Sequence, residues 1–471
     1  MDNLEENIRQ MVREALRDLN LNNNISHQPN KMGIFSTINQ AVEAAEVAFF
    51  ELGKLTLEVR KDIIANIRKV SKENVAMIAK MAGEETGMGR WEDKVIKNEL
   101  AIKKTPGVED IIPEAFSDEH GLTLVEHAPH GVVGSISPST NPTATIISNS
   151  IGMIAAGNSV VFNTHPAAKN VSASLISILN KGIVEAGGPR NLITAIENPT
   201  IESAQEMMNH PKISILVVTG GPAVVKAAMG TSKKTIAAGP GNPPCVVDET
   251  ADIVKAGKDI VAGASFDNNI ICICEKETIV VDSVADSLKA EMQKNGAYLL
   301  TPEQVRQVTE LVIADPGKPG HEGAPNKKFV GQNASKIASA IGLNIPESTR
   351  LLLCEVDANH PLVWTEQLMP VMPIVRIPNV DDAIDLAVRC EHGFRHTAVM
   401  HSLNIAKLSK MAKAMNCSLF VKNGPSYAGL GKDGAGFASF TIASPTGDGL
   451  TRARTFTRER RCTLVDYFRI I

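Results

Sequence analysis

Aromatic side chains are scarce in this sequence, with two Trp, three Tyr and thirteen Phe among 471 residues. Any interior must be filled mainly by aliphatic side chains, and few rings remain for stacking against nucleic-acid bases. A positive field is lacking too, since 48 Lys and Arg face 52 Asp and Glu and leave a net charge of -4. That balance excludes nucleic acid as a partner, although a local anion pocket remains compatible with it. The seven cysteines, at 245, 272, 274, 354, 390, 417 and 462, are odd in number and scattered. They do not make a disulfide framework and fit a reducing cytoplasm. Long apolar runs are also missing. The first 30 residues have no apolar core of a secretion signal, and the most apolar later stretch, 146–162, is interrupted by Ser148, Asn149, Ser150, Gly157, Asn158 and Ser159. A membrane-spanning chain is therefore not expected.

What is present is 43% apolar residues, enough for two or three domains of ordinary size. Residues 1–19 place Leu4, Ile8, Met11, Val12, Ala15, Leu16 and Leu19 on one helical stripe, with Asp2 and Glu5 spaced as a capping box. An Asn-rich, aperiodic stretch over 20–32 separates this helix as an appendage. It either packs on the oligomer or docks elsewhere. From 35 to about 110 the pattern is helical. Beyond it, β-rich runs at 132–136, 159–162, 192–196 and 213–218 alternate with helical stretches at 142–156 and 168–186. The alternation resumes after Gly239, with β-rich runs at 245–247, 277–281 and 373–377 and helical stretches at 251–263, 284–294 and 403–415. Such alternation predicts an α/β fold with parallel sheets covered by helices, divided at the Gly- and Pro-rich stretch 238–244. The tail sets Arg458, Arg460 and Arg461 before a β-like end, 462–468, suited to pairing with another subunit.

Residues 429–434 spell G-x-G-x-x-G, but residues 435–442, AGFASFTI, read as loop or strand. The dinucleotide fingerprint needs a strand before the glycines and a helix after them, so this match is rejected. Two other turns join a strand to a helix. Residues 137–142, Ser-Pro-Ser-Thr-Asn-Pro, put Pro142 at a first helical position and Asn141 or Thr140 at the cap, and residues 219–222 are Thr-Gly-Gly-Pro. Each is read either as an ordinary cap or as a ligand-binding strand end. Cys272 comes after polar Asn268 and Asn269 and precedes a strand. A thiol there is either a buried structural residue or a nucleophile toward a carbonyl. Cys272 and Cys274 have no second Cys/His pair at zinc spacing, so no metal is expected.

Taken in order, residues 137–142, 161–166, 219–221, 239–244, 265–276, 366–370 and 391–398 resemble the CoA-acylating aldehyde dehydrogenases, especially the microcompartment enzymes of ethanolamine and propanediol utilisation. The match spans about 33–462. The resemblance implies the aldehyde dehydrogenase fold, a modified Rossmann cofactor domain plus an α/β catalytic domain and an oligomerisation flap. In it, residues 1–19 are a targeting helix, 20–32 a linker, and 33–238 the cofactor-binding domain with an oligomerisation hairpin near 121–131. Residues 239–435 are the catalytic domain and 436–471 a C-terminal return and oligomerisation segment. It further implies Cys272 as nucleophile and Asn141 as oxyanion donor. NAD contacts fall at Pro138, Thr140, Asn163, His165, Thr219, Gly220, Gly221, Glu366 and Pro370, with coenzyme A as co-substrate. Where hydrolytic relatives carry a water-activating Glu, this chain has Ala237, which spares a thioester for CoA. Asn163 is neutral where many relatives have Lys, and Ala144 and Ile271 replace the usual Glu and Pro. The implied partners are a short-chain aldehyde of the acetaldehyde and propionaldehyde class, a shell protein bound through the N-terminal helix, and further copies of the chain in a dimer or tetramer. The implied setting is a cytoplasmic bacterial microcompartment. The alternative is a catalytically silent relative that acts as a shell-binding subunit.

Overall fold

The computed structural model describes residues 32–471. The helix expected over 1–19, and all of the linker 20–32 but Met32, lie outside the described residues. Helices occupy Ile38–Leu52, Leu57–Glu73, Val75–Thr86 and Trp91–Lys104, as the helical texture of this stretch predicts.

A parallel strand can be reached only through a crossover, and the alternation in the sequence supplies the crossovers for two parallel sheets. The first has six strands in the spatial order Ile34–Phe35, Ile193–Ile196, Ser159–Asn163, Val132–Ile136, Ile213–Thr219 and Lys234–Ala238. From Val132–Ile136 the chain builds outward on one side through Ser159–Asn163 and Ile193–Ile196, then crosses back to lay Ile213–Thr219 on the other. The strand order reverses there, which opens a crevice at the strands' carboxyl ends.

The second sheet has seven parallel strands, ordered Ala297–Leu299, Leu351–Val356, Val371–Ile377, Glu277–Val281, Pro244–Val247, Thr397–His401 and Leu419–Lys422. Residues 239–243 carry the chain from one sheet to the other without a regular element.

The helix Pro142–Ala155 is buried along its whole length. Two of the polar residues interrupting the apolar stretch, Asn149 in this helix and Asn158 just after it, have an internal task. Asn149 accepts from Thr441 Oγ1 (3.1 Å), while Asn158 accepts from Gly131 N (3.0 Å) and donates to Phe456 O (2.9 Å).

Two expectations need correction. The hairpin placed near 121–131 consists of Glu114–Asp118 and Gly121–Pro129. The terminal strand begins at Thr457, not near Cys462, and pairs antiparallel with Gly121–Pro129 of its own chain, Thr457 opposite Pro129 and Val465 opposite Gly121. Gly121–Pro129 takes one edge of the terminal strand, and the outer edges of Thr457–Val465 and of Glu114–Asp118 bound this three-stranded sheet. Ahead of that strand, Phe440, Ile442, Ala443, Ala453 and Phe456 join the core cluster of the first sheet's helices. Among the described residues no helix is long and apolar enough to cross a membrane.

Candidate active site

Three adjacent strand ends at the switch point carry the turns singled out in the sequence. Asn141 is the N-cap residue of Pro142–Ala155, with Pro142 in the first turn, yet its side chain makes no capping bond. It is 7% exposed and committed elsewhere: Lys97 Nζ donates to its Oδ1 (2.7 Å), and its Nδ2 donates to Thr140 Oγ1 (3.2 Å). On the neighbouring turn Gly221 caps Pro222–Met229, and a Cβ built there would meet nothing within 4 Å. Thr219 shares a hydrogen bond with Thr441 (2.7 Å). This pair of turns, with Pro138 and Thr140 half-exposed beside them, has the open backbone that a dinucleotide needs. Asn163 and His165 are occupied locally. Asn163 Oδ1 accepts from Ser203 Oγ (2.6 Å), and His165 Nδ1 accepts from Ala167 N (3.1 Å). Pro370 is buried, its carbonyl accepting from Leu352 N (2.9 Å) in the second sheet.

Cys272 lies between the helix Ile253–Ala264 and the strand Glu277–Val281, and it packs against the core cluster of the first sheet's helices. The turn ahead of it holds three successive residues in the left-handed region, Asp267 (φ 48°), Asn268 (φ 53°) and Asn269 (φ 67°). Asp and Asn tolerate that conformation better than other L-residues, and their side chains pin it. Asn268 Oδ1 accepts from Arg90 Nε (3.0 Å), and its Nδ2 donates to Gly331 O (2.9 Å). Asn269 Nδ2 donates to Ala264 O (2.7 Å) and Glu275 O (2.9 Å), and its Oδ1 accepts from Lys276 Nζ (2.6 Å). Burial pushes the Cys272 thiol up to about 12, and Glu366 adds to the rise, while Lys276 and Lys97 oppose it. Cys274 is fully enclosed, its sulfur near Phe266 O (3.7 Å).

Gly241 joins the remaining pieces. A Cβ there would stand 2.9 Å from His396 Cγ and 3.1 Å from Cys272 O. Its backbone, with Lys276, favours the charged form of the Glu366 carboxylate, which burial raises to about 7. His396 is buried, and burial with Lys276 lowers it to about 3, which favours the neutral imidazole. Glu391, raised by burial to about 7, accepts from His396 N (2.7 Å) and so holds the turn 391–396. The structure thus gathers Cys272, Glu366 and Gly241, and links Asn141 to them through Lys97.

Sequence reasoning missed a buried ionic cluster. Asp267 accepts from Lys97 and from Lys94 (3.1 Å), and Asp93 accepts from Asp267 N (3.0 Å) and Arg350 (2.6 Å). Burial raises the Asp267 carboxyl, but Lys97 and Lys94 outweigh it and hold the group below the usual range. The available signal was the run of charged residues Asp93, Lys94 and Lys97 on the inward stripe of the helix Trp91–Lys104. Among the described residues no His, Cys, Asp or Glu cluster is suited to a metal ion.

The chain matches the model of the aldehyde dehydrogenase family over residues 31–309. It is 51% identical to the acetaldehyde dehydrogenase (acetylating) EutE of Escherichia coli K12, over 99% of this chain and 100% of that protein. A solved structure of the Rhodopseudomonas palustris propionaldehyde dehydrogenase, with bound CoA and an acylated cysteine, superposes with a TM-score of 0.89 at 50% identity, covering 92% of this chain and 98% of that one. A propionaldehyde dehydrogenase from the fucose utilisation bacterial microcompartment of Clostridium phytofermentans superposes at 0.90 with 45% identity, covering 94% and 100%.

Proposed function

The chain belongs to the aldehyde dehydrogenase family, and from that premise we propose how its site works. It is an NAD-dependent, CoA-acylating aldehyde dehydrogenase that converts a short-chain aldehyde of the acetaldehyde and propionaldehyde class, with CoA, to acyl-CoA, reversibly. Cys272 Sγ, once its thiol proton has passed to solvent, adds as thiolate to the aldehyde carbon to form the C–S bond of a thiohemiacetal. The carbonyl oxygen becomes an oxyanion, received by Asn141 Nδ2 and the Cys272 backbone N–H. NAD, when bound, supplies the hydride acceptor that turns the thiohemiacetal into a thioester on Cys272. Pro138, Thr140, Thr219, Gly220 and Gly221 would hold it at the strand ends, and Glu366 would hold its ribose. The CoA thiolate then adds to the thioester carbon, and the bond to Cys272 Sγ breaks.

The observation that carries the acylating reading is Ala237. It is fully buried in an apolar cluster, so that position offers no carboxylate to activate water against the thioester. A thiol nucleophile needs no such base. NADH formation from acetaldehyde and propionaldehyde, with and without CoA, tests this together with mass spectrometry of the products. The expected result is CoA-dependent turnover to acyl-CoA; mainly free acid at a comparable rate overturns it.

The finer assignments belong to the same reading. Residues 33–238 form the cofactor-binding domain, 239–435 the catalytic domain, and 436–471 the return and oligomerisation segment. The hairpin and the exposed Val465, Tyr467 and Phe468 support a dimer or tetramer, which light scattering would report and a monomer would refute. The apolar stripe of residues 1–19 docks on a shell protein of a cytoplasmic microcompartment. Residues 1–20 fused to a fluorescent reporter should join the cognate shell, and a diffuse reporter would count against docking.

A further inference from the structure

Lys97 stands third in the inward stripe of the helix Trp91–Lys104, and its side chain is 2% exposed. An ammonium has three N–H donors and no acceptor. All three find oxygen: Asn141 Oδ1 (2.7 Å), Thr140 O (3.4 Å) and Asp267 Oδ2. The first two acceptors belong to the turn after strand Val132–Ile136, and the third to the left-handed turn leading to Cys272. One buried cation therefore ties the oxyanion-donor turn to the nucleophile turn across the junction of the two sheets.

The consequence for Asn141 is chemical. A carboxamide has one accepting and one donating end, and either can face a neutral neighbour. Facing an ammonium, only the oxygen can. The NH2 group is then turned to the side away from Lys97, where one N–H donates to Thr140 Oγ1 (3.2 Å). We propose that Lys97 is a positioning residue for aldehyde oxidation, which fixes the Asn141 carboxamide with its NH2 toward the oxyanion and couples that donor to the Cys272 turn through Asp267. The proposal rests on the reading of Asn141 as an oxyanion donor.

A double-mutant cycle in the full-length enzyme tests it. Removing one oxyanion donor typically lowers kcat by about 10² to 10³. Asn141→Ala should show a loss of that size. Lys97→Met should lose about a hundredfold in kcat, with the KM for NAD unchanged within about threefold, because Asp267 keeps Lys94 at 3.1 Å. The double variant should be within about threefold of Asn141→Ala alone, since a residue that acts through Asn141 has nothing left to position. Lys94→Met removes a cation from the same carboxylate without touching Asn141, and should cost less than about tenfold. Should Lys97→Met fail to fold, Lys97→Gln takes its place: its own amide can turn either end to Asn141, so about tenfold should be lost, again without addition in the double variant. An impaired Asn141→Ala beside a near-normal Lys97 variant overturns the proposal alone. So do losses that multiply in the double variant, or a Lys94→Met as slow as Lys97→Met. An unimpaired Asn141→Ala overturns the oxyanion reading and the proposal with it.

Discussion

At Cys272 two influences of opposite sign meet on one sulfur. Burial and the Glu366 carboxylate raise the thiol to about 12, and the cations Lys276 and Lys97 resist without prevailing. The raised group stays a thiol through neutral pH, and each unit of pH increases its thiolate about tenfold. Alkylation by iodoacetamide, followed as loss of activity in the enzyme without ligands, should therefore rise with a logarithmic slope near one from pH 7 to 10; a plateau near pH 8 would contradict it. Cys272→Ala should abolish aldehyde oxidation, by about 10³-fold or more, while the circular dichroism spectrum is kept. Cys274→Ala, whose sulfur is enclosed beside Phe266, should lose less than about tenfold in rate and about 1 kcal/mol of stability. Equal losses at the two positions would remove the distinction drawn between them.

The site depends on turns between elements more than on the elements. The left-handed run Asp267, Asn268, Asn269 is held in place by its side chains, Asp267 and Asn268 reaching Arg90 and Asn269 the end of the preceding helix at Ala264. Gly241 is needed for space. A methyl group there would press on His396 Cγ at 2.9 Å and Cys272 O at 3.1 Å, and neither is the free end of a flexible side chain. Gly241→Ala should cost about 1 to 3 kcal/mol in thermal or urea unfolding. It should also lower kcat by at least about tenfold, because displacement of the nucleophile turn by a fraction of an ångström degrades attack geometry. Parent-like kinetics in a folded Gly241→Ala would show that the turn has slack.

Across the whole molecule, distant segments close on buried acids. Glu275 accepts from Ser426 N (2.8 Å) and Ser426 Oγ (2.8 Å), 151 residues away in sequence. Burial raises its carboxyl from 4.5 to about 7 against those bonds. Because the folded pKa exceeds the unfolded one, its contribution is fully present below pH 4.5 and is lost as pH rises through about 7. Gln does not titrate. The thermal midpoint of Glu275→Gln, relative to the parent, should therefore improve steadily from pH 5 to pH 8. A constant difference between the two would show that Glu275 is not the titrating group.

The elements and their class were legible in residues close together along the chain. Residues 132–136 and 213–218 are apolar but for Gly134, Ser135 and Ser214 because a parallel strand is covered on both faces, and that pattern is local enough to read directly. The sequence also marked Cys272, Asn141 and Glu366, through motifs whose order along the chain resembled one enzyme family. What those residues touch emerged only with the folded chain. Lys97 reads as one more solvated lysine in a charged helix until Asn141 and Asp267, 44 and 170 residues away, are folded onto it. The terminal strand gives no sign of its partner in its own chain until Gly121–Pro129 is folded against it. Both depend on contacts between residues far apart in the chain. Periodicity and propensity report only on neighbours within a turn or two, and the partner of a buried charge is chosen by the packing of the whole fold.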